Sequence, residues 1–170
     1  MGTQVRLPQS VVDVSVFIEG NGFAGLTDKI SLPDIERILE TSKAGGFERD
    51  VDTGVFKKME FEVGVKEFNK IIYTAASTGI ASGKGIGIVL KGSILQDGTK
   101  IPFVATIQGK SGVALGGIGA GDGGTTTLKG TAERFSYELN GEELVHMDTR
   151  NMIAKIAGVD HLEVLRQHIL

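Results

Sequence analysis

Several short stretches carry residue types that could do chemistry. Gly119-Ala120-Gly121-Asp122-Gly123-Gly124 has the spacing of a dinucleotide fingerprint, in which glycines let a pyrophosphate approach a helix N-terminus. The context does not support it, because Thr125-Thr126-Thr127-Leu128 follows and is β-branched where an amphipathic helix is needed. Gly83-Lys84-Gly85 resembles the end of a phosphate-binding loop, but the first glycine would fall on Thr78 and the magnesium-binding hydroxyl on Gly85. Gly116 to Asp122 matches a calcium-binding β-roll repeat displaced by one residue. It occurs once, whereas such repeats work as stacked copies. His146, His161 and His168 lack metal-ligand spacing, and the chain has no cysteine to complete a zinc or iron–sulfur site. Glu142-Glu143 and the pair Asp50, Asp52 could serve a hydrolase, yet each lies in a turn-like polar segment where solvation suffices. No Gly-x-Ser-x-Gly elbow is present. The sequence therefore implies no catalytic residue, no metal and no cofactor.

The elements that would position such residues are mostly strands. Met59, Phe61 and Val63 alternate with Glu60 and Glu62, and Phe135, Tyr137 and Leu139 alternate with Arg134, Ser136 and Glu138. That period of two predicts sheets with one face on a core and one toward water. Ile88–Leu95 and Pro102–Gln108 flank Asp97-Gly98, and Asn140-Gly141 precedes Leu144-Val145, so two hairpins are predicted. Val11–Ile18 and Leu26–Leu32 read as a third, with its bend near Glu19-Gly20-Asn21-Gly22. One helix is predicted over Lys66–Ala76, burying Phe68, Ile71, Ile72 and Ala75 and ending at Gly79. Two short helical pieces joined at Gly158 are predicted within Thr149–Leu170. Two irregular stretches remain: a long loop, 43–54, and a glycine-rich loop, 111–127. The expected fold is mainly β, a sandwich or small barrel with one packed helix and a short C-terminal helical segment.

Size and composition bound the rest. The chain has 170 residues, 41% hydrophobic and 6% aromatic, which is enough for one domain spanning 1–170. Eighteen basic against 21 acidic residues leave a net charge of −3, which excludes a dedicated nucleic-acid clamp or a polybasic anchor. No run reaches the roughly 18 apolar residues of a membrane span, and Met1–Ser10 has neither a basic head nor an apolar stretch. A product assembled in the cytoplasm, without membrane anchoring, is expected.

The ordered landmarks resemble a known family. Val16-Phe17-Ile18-Glu19-Gly20-Asn21-Gly22-Phe23-Ala24-Gly25, Ile30-Ser31-Leu32-Pro33 and Glu40 with Ala44-Gly45-Gly46 are similar to the opening of the major tail tube protein of contractile-tailed bacteriophages. Tyr137 to Thr149, Asn151-Met152-Ile153 and Gly158-Val159-Asp160-His161-Leu162 resemble that family's closing signature in the same order. The resemblance implies a structural virion subunit, not an enzyme, that forms hexameric rings stacked into a hollow tube inside a contractile sheath. Its implied partners are further copies of itself, the sheath, tape-measure, baseplate and tail terminator proteins, with DNA only in transit. Its implied place is the virion tail, assembled in the host cytoplasm. The long loop is then the ring-stacking segment: Gly45 and Gly46 reverse the backbone, Phe47 anchors, and Glu48, Arg49, Asp50 and Asp52 pair across the junction. Glu60, Glu62, Ser93, Thr106, Gln108 and Ser136 are candidates for the water-filled lumen. Two other readings stay open: a tube of a DNA-free bacteriocin or secretion particle, and a monomeric β-barrel that closes its glycine-rich loop over a small ligand.

Overall fold

The structure is a computed structural model in which residues 4–170 are described; Met1–Thr3, part of the stretch read for a leader, lie outside them. Along the chain run β1 (Ser10–Ile18), β2 (Asn21–Gly22), β3 (Thr27–Ser31), β4 (Arg37–Ala44), β5 (Phe47–Phe56) and β6 (Met59–Val65). They are followed by α1 (Lys70–Ser82), β7 (Ile86–Gln96), β8 (Thr99–Ala114), β9 (Thr126–Leu139), β10 (Glu142–Asp148), β11 (Ile153–Ile156), β12 (Val159–Asp160) and α2 (Glu163–Ile169). Ten strands form one antiparallel sheet in the order β12-β11-β10-β9-β8-β7-β1-β2, with β6 added to β9 and β3 to β6. Thr27 Oγ1 donates to Val14 O at 2.7 Å, bringing β3 back against β1, so the sheet curls into a barrel-like body. The fold is mainly β, as the alternation predicted.

Turn chemistry sets this topology. Glu19-Gly20, Gly45-Gly46, Asp97-Gly98, Asn140-Gly141 and Ala157-Gly158 each place two successive residues at positive φ between paired strand ends. Two-residue hairpins need this left-handed pair because its twist matches that of the strands. Three expectations are corrected here. The stretch 43–54 is no irregular loop: its first two residues end β4, and Phe47 onward is β5, paired from Ala44↔Phe47 to Arg37↔Phe56. Gly158 joins two strands, not two helices, leaving α2 as the C-terminal helix. Val11–Ile18 makes no hairpin with Leu26–Leu32, since β1 pairs with β7 from Ser10↔Leu95 to Ile18↔Ile88, and β3 pairs with β6. Alternation reveals a strand's buried face but not its partner.

A single core fills the body. Ile88, Ile107, Phe135, Met147 and Ala154 are register neighbours across five strands, and all are buried. Against this core packs α1, which begins later than predicted. Asn69 Oδ1 accepts the Ile71 N–H at 2.9 Å as N-cap, and Gly83 closes the helix at φ 69°. The buried stripe is Ile72, Ala75, Ala76 and Gly79, while Phe68 and Ile71 are exposed. Gly79 does not stop the helix; a Cβ there would stand 2.8 Å from Gly85 O, so glycine permits close helix–strand packing. The glycine-rich stretch is also shorter than predicted, since Ser111–Ala114 continues β8 and Thr126–Thr127 opens β9.

Candidate assembly surfaces

The β4–β5 hairpin is an arm. It leaves the sheet where β9 changes partner: Met59 of β6 faces Ala132, and from Arg134 onward β10 occupies the same flank. Glu133 sits at the switch as a bulge, where its carbonyl accepts the Thr149 N–H at 2.9 Å and its carboxylate meets Arg150 Nε at 3.0 Å. With that flank occupied, the hairpin has only itself to pair with, in a separate two-stranded sheet.

Pairing within the arm consumes much of its charge. Arg37 reaches Asp52 at 3.0 Å, Thr41 Oγ1 donates to Asp50 at 3.1 Å, and Lys43 lies 3.9 Å from Glu48. The Gly54 N–H and Arg37 both stabilise the Asp52 carboxylate and hold its pKa below the ordinary value. Asp50 and Asp52 therefore act inside the hairpin, and Arg49 and Glu40 remain without a side-chain partner among the described residues. Phe47 stands at the tip 77% exposed, with Leu39, Val51 and Val55 also exposed along the strands. It anchors nothing in its own subunit.

The candidate lumen residues share one sheet face. Thr106 faces Ser136, Gln108 faces Arg134, Glu60 and Lys110 flank Thr131, and Glu62 faces Lys129. Ser93 lies on the same side of β7 as Lys91 and Val89, opposite Pro102. The face is mixed in charge and largely self-compensated: Lys129–Glu62 at 3.9 Å, Lys110–Glu133 at 3.8 Å and Arg134–Asp148 at 3.1 Å. Lys91 Nζ lies 5.4 Å from the centre of the Phe17 ring. Burial disfavours the Asp148 carboxylate, but Asn151 Nδ2 at 2.7 Å, the backbone N–H groups of Asn151 and Arg150, and Arg134 outweigh it, so its pKa is lowered.

Two apolar surfaces escaped the sequence reading. Val5, Leu7, Val11 and Val12 are exposed around β1, and Val164, Leu165, Ile169 and Leu170 are exposed on and after α2. The spacing of Leu165 and Ile169 is visible in the sequence, but periodicity does not say what buries a stripe. α2 is tethered at Arg166, which donates to Asp160 at 2.7 Å and to Met152 O at 2.6 Å. That bond, with N–H groups of Leu162 and Ala154, lowers the Asp160 pKa to about 2.

The largest cavity described is an open groove of about 780 Å³ between α1 and the Glu19–Gly20 turn, lined by Ile71, Thr74, Ala75, Thr78 and Gly79 and rimmed by Lys70 and Lys84. No residue of 115–125 lines it, and Gly124 instead packs on the Phe68 ring, so the glycine-rich loop is no lid over this space.

The family description phage tail tube protein FII matches residues 8–169. The chain is 28% identical over 173 residues to the tail tube protein of Escherichia phage P2, covering 97% of this chain and 99% of that one. Its fold is similar to the sheath/tube terminator of an extracellular contractile injection system (PVC) in the extended state, with TM-score 0.55 and 14% identity over 79% of this chain and 99% of that one. It is also similar to a chain of the PVC sheath–tube complex, with TM-score 0.54 and 12% identity over 77% and 91%.

Proposed function

We propose, from the premise that this chain belongs to the phage tail tube protein FII family, that its subunits close into hexameric rings and that the rings stack into the inner tube of a contractile tail. Tail tube proteins are structural proteins, not enzymes. The family match from residue 8 to residue 169 carries the reading, because it includes both the body and the arm.

The physical features support it. A ring is a heterologous assembly, so one subunit must carry two different complementary surfaces. Here the outer edge of β1 is covered from Val14 onward by Thr27, Phe23 and β2, but it has no partner strand over Ser10–Asp13, and that neighbourhood is apolar. Burying that edge against a neighbour removes the aggregation risk of an open strand. The arm, with Gly45-Gly46 at its turn and Phe47, Glu48, Arg49, Asp50 and Asp52 beyond, extends from the body as a ring-stacking element. The face bearing Glu60, Glu62, Ser93, Thr106, Gln108 and Ser136 lines the lumen. Lys110, Lys129 and Arg134 on this face have carboxylate partners and Lys91 a ring, so these four cations offer little to a passing phosphate backbone. The tube sits in the virion tail, assembled in the host cytoplasm, with sheath outside, tape-measure protein inside, and baseplate and terminator at its ends. It is the channel for DNA ejection.

Negative-stain electron microscopy of the purified chain across a concentration series tests the reading. Rings and hollow tubes of uniform diameter are expected, and uniformly small particles at every concentration overturn it.

A further inference from the structure

The arm ends in an exposed aromatic ring that its own subunit does not use, and the groove beside α1 is an apolar-floored space that its own subunit does not fill. We propose that these are the two halves of one contact: the hairpin tip of one subunit, led by Phe47, seats in the α1 groove of a subunit in the adjacent ring. The inference rests on the ring-stacking reading and names the receptor that reading lacks.

Several observations converge on a second copy as the occupant. The arm grows from the β3–β6 side of the barrel, whereas the groove lies on the β1–β7 side, beside Glu19, Gly85 and Gly87. Donor and acceptor are thus disjoint on one subunit, and a contact between them propagates from copy to copy. Their charges are complementary. Glu48 is held only loosely by Lys43 at 3.9 Å and Arg49 has no side-chain partner among the described residues, while the groove presents Lys70 and Lys84 on its rim and Glu19 at one wall. The tip is preorganised, since the Gly45-Gly46 turn and the ladder beneath it fix where Phe47 stands, which lowers the ordering cost of docking. The floor suits a ring edge: Ala75 and Gly79 are small, and Thr74 and Thr78 sit one turn apart along the exposed side of α1. At about 780 Å³, the groove admits the tip turn together with the ring.

The chain has no cysteine, so a disulfide can report the contact without background. In the double variant Glu48→Cys, Thr78→Cys, which keeps Phe47, mild oxidation of assembled tubes should give a ladder of covalent multimers. Mixed tubes of the two single variants should give dimers alone. In parallel, Thr74→Trp fills the groove from an exposed position and should abolish tubes while rings and the unfolding midpoint are unchanged. Tubes that form normally with Thr74→Trp, or double-variant tubes that give no ladder, overturn the α1 groove as receptor and leave ring stacking standing. Failure of the unmodified chain to make rings or tubes at any concentration overturns the stacking reading, and this inference with it.

Discussion

The barrel body and the β4–β5 arm are built from the same antiparallel ladder and the same two-residue turns, yet they differ in what surrounds them. In the body, alternate residues such as Val16, Ile88 and Ile107 are fully buried, and each strand has neighbours that cover its apolar face. In the arm every residue but the two at its base, Arg37 and Phe56, and Ser42 is exposed, and an isolated two-stranded ribbon is marginal in water. The body therefore buries its own apolar residues, whereas those of the arm find no cover within their own subunit. Hydrophobic residues on a strand report that something is buried, not whether the covering surface belongs to the same chain.

The largest expected contrast comes from truncating side chains in the two regions. Ile88→Ala should destabilise the subunit by about 2–5 kcal/mol through lost burial and a residual cavity. Val51→Ala in the arm should change it by no more than about 0.5 kcal/mol. Urea unfolding of unassembled subunits measures both, and a large effect of Val51→Ala would show that the arm packs on its own body.

A smaller effect comes from acid. The Asp160 pKa, lowered to about 2 by Arg166, means the carboxylate stabilises the folded state at pH above about 4 and loses that contribution as pH falls toward 2. The contribution is at most about 2 kcal/mol. Asp160→Asn should lower stability at neutral pH and flatten the acid limb of the unfolding profile. Asp52→Asn in the arm, although the Asp52 pKa is lowered too, should leave the limb of the body unchanged. Chemical denaturation between pH 2 and 7 distinguishes them.

The smallest contrast uses one turn geometry in two places. Gly98 in the body has φ 77° and Gly46 in the arm has φ 81°, so alanine is strained at either by about 1 kcal/mol. Gly98→Ala should lower global stability by about that amount. Gly46→Ala should leave the global midpoint unchanged and raise amide exchange in the arm by about fivefold, because the arm opens locally. Equal midpoint shifts for the two variants would join arm and body into one cooperative unit.

Much of this was legible in the sequence, and the misses share a cause. The half-buried strands at Met59–Val63 and Phe135–Leu139 and the Asp97-Gly98 and Asn140-Gly141 turns are local signals, set by a residue and its near neighbours. The candidate lumen residues fell on one face for the same reason, since alternation alone fixes the side. What failed required knowledge of partners. Nothing in Val11–Ile18 says that β7, whose nearest partner is Ile88 opposite Ile18, pairs with it in place of the nearer Leu26–Leu32. Gly45-Gly46 is itself a two-residue turn signal, but the charged residues after it disguised β5 as a loop. The helix was misread by one turn because Phe68 suits a buried stripe by type, whereas Asn69 as N-cap excludes it from the helix. In the arm, the strand register gives Asp50 and Asp52 each a partner inside the hairpin, which the sequence alone does not show.

The sharing of one flank of β9 between β6 and β10 has a mechanical side. A pull on the arm along its strands enters the body through β6, which lies antiparallel to β9 over seven residue pairs from Met59↔Ala132 to Val65↔Thr126. Loaded in that direction, the bonds of the ladder are sheared together and must fail together, where a sideways load would peel them one at a time. The Glu133 bulge ends this splice, and beyond it β10 carries its own bonds to the same strand. Tension applied at the arm is thus borne by the length of β9 and passes to the C-terminal flap only after crossing the bulge.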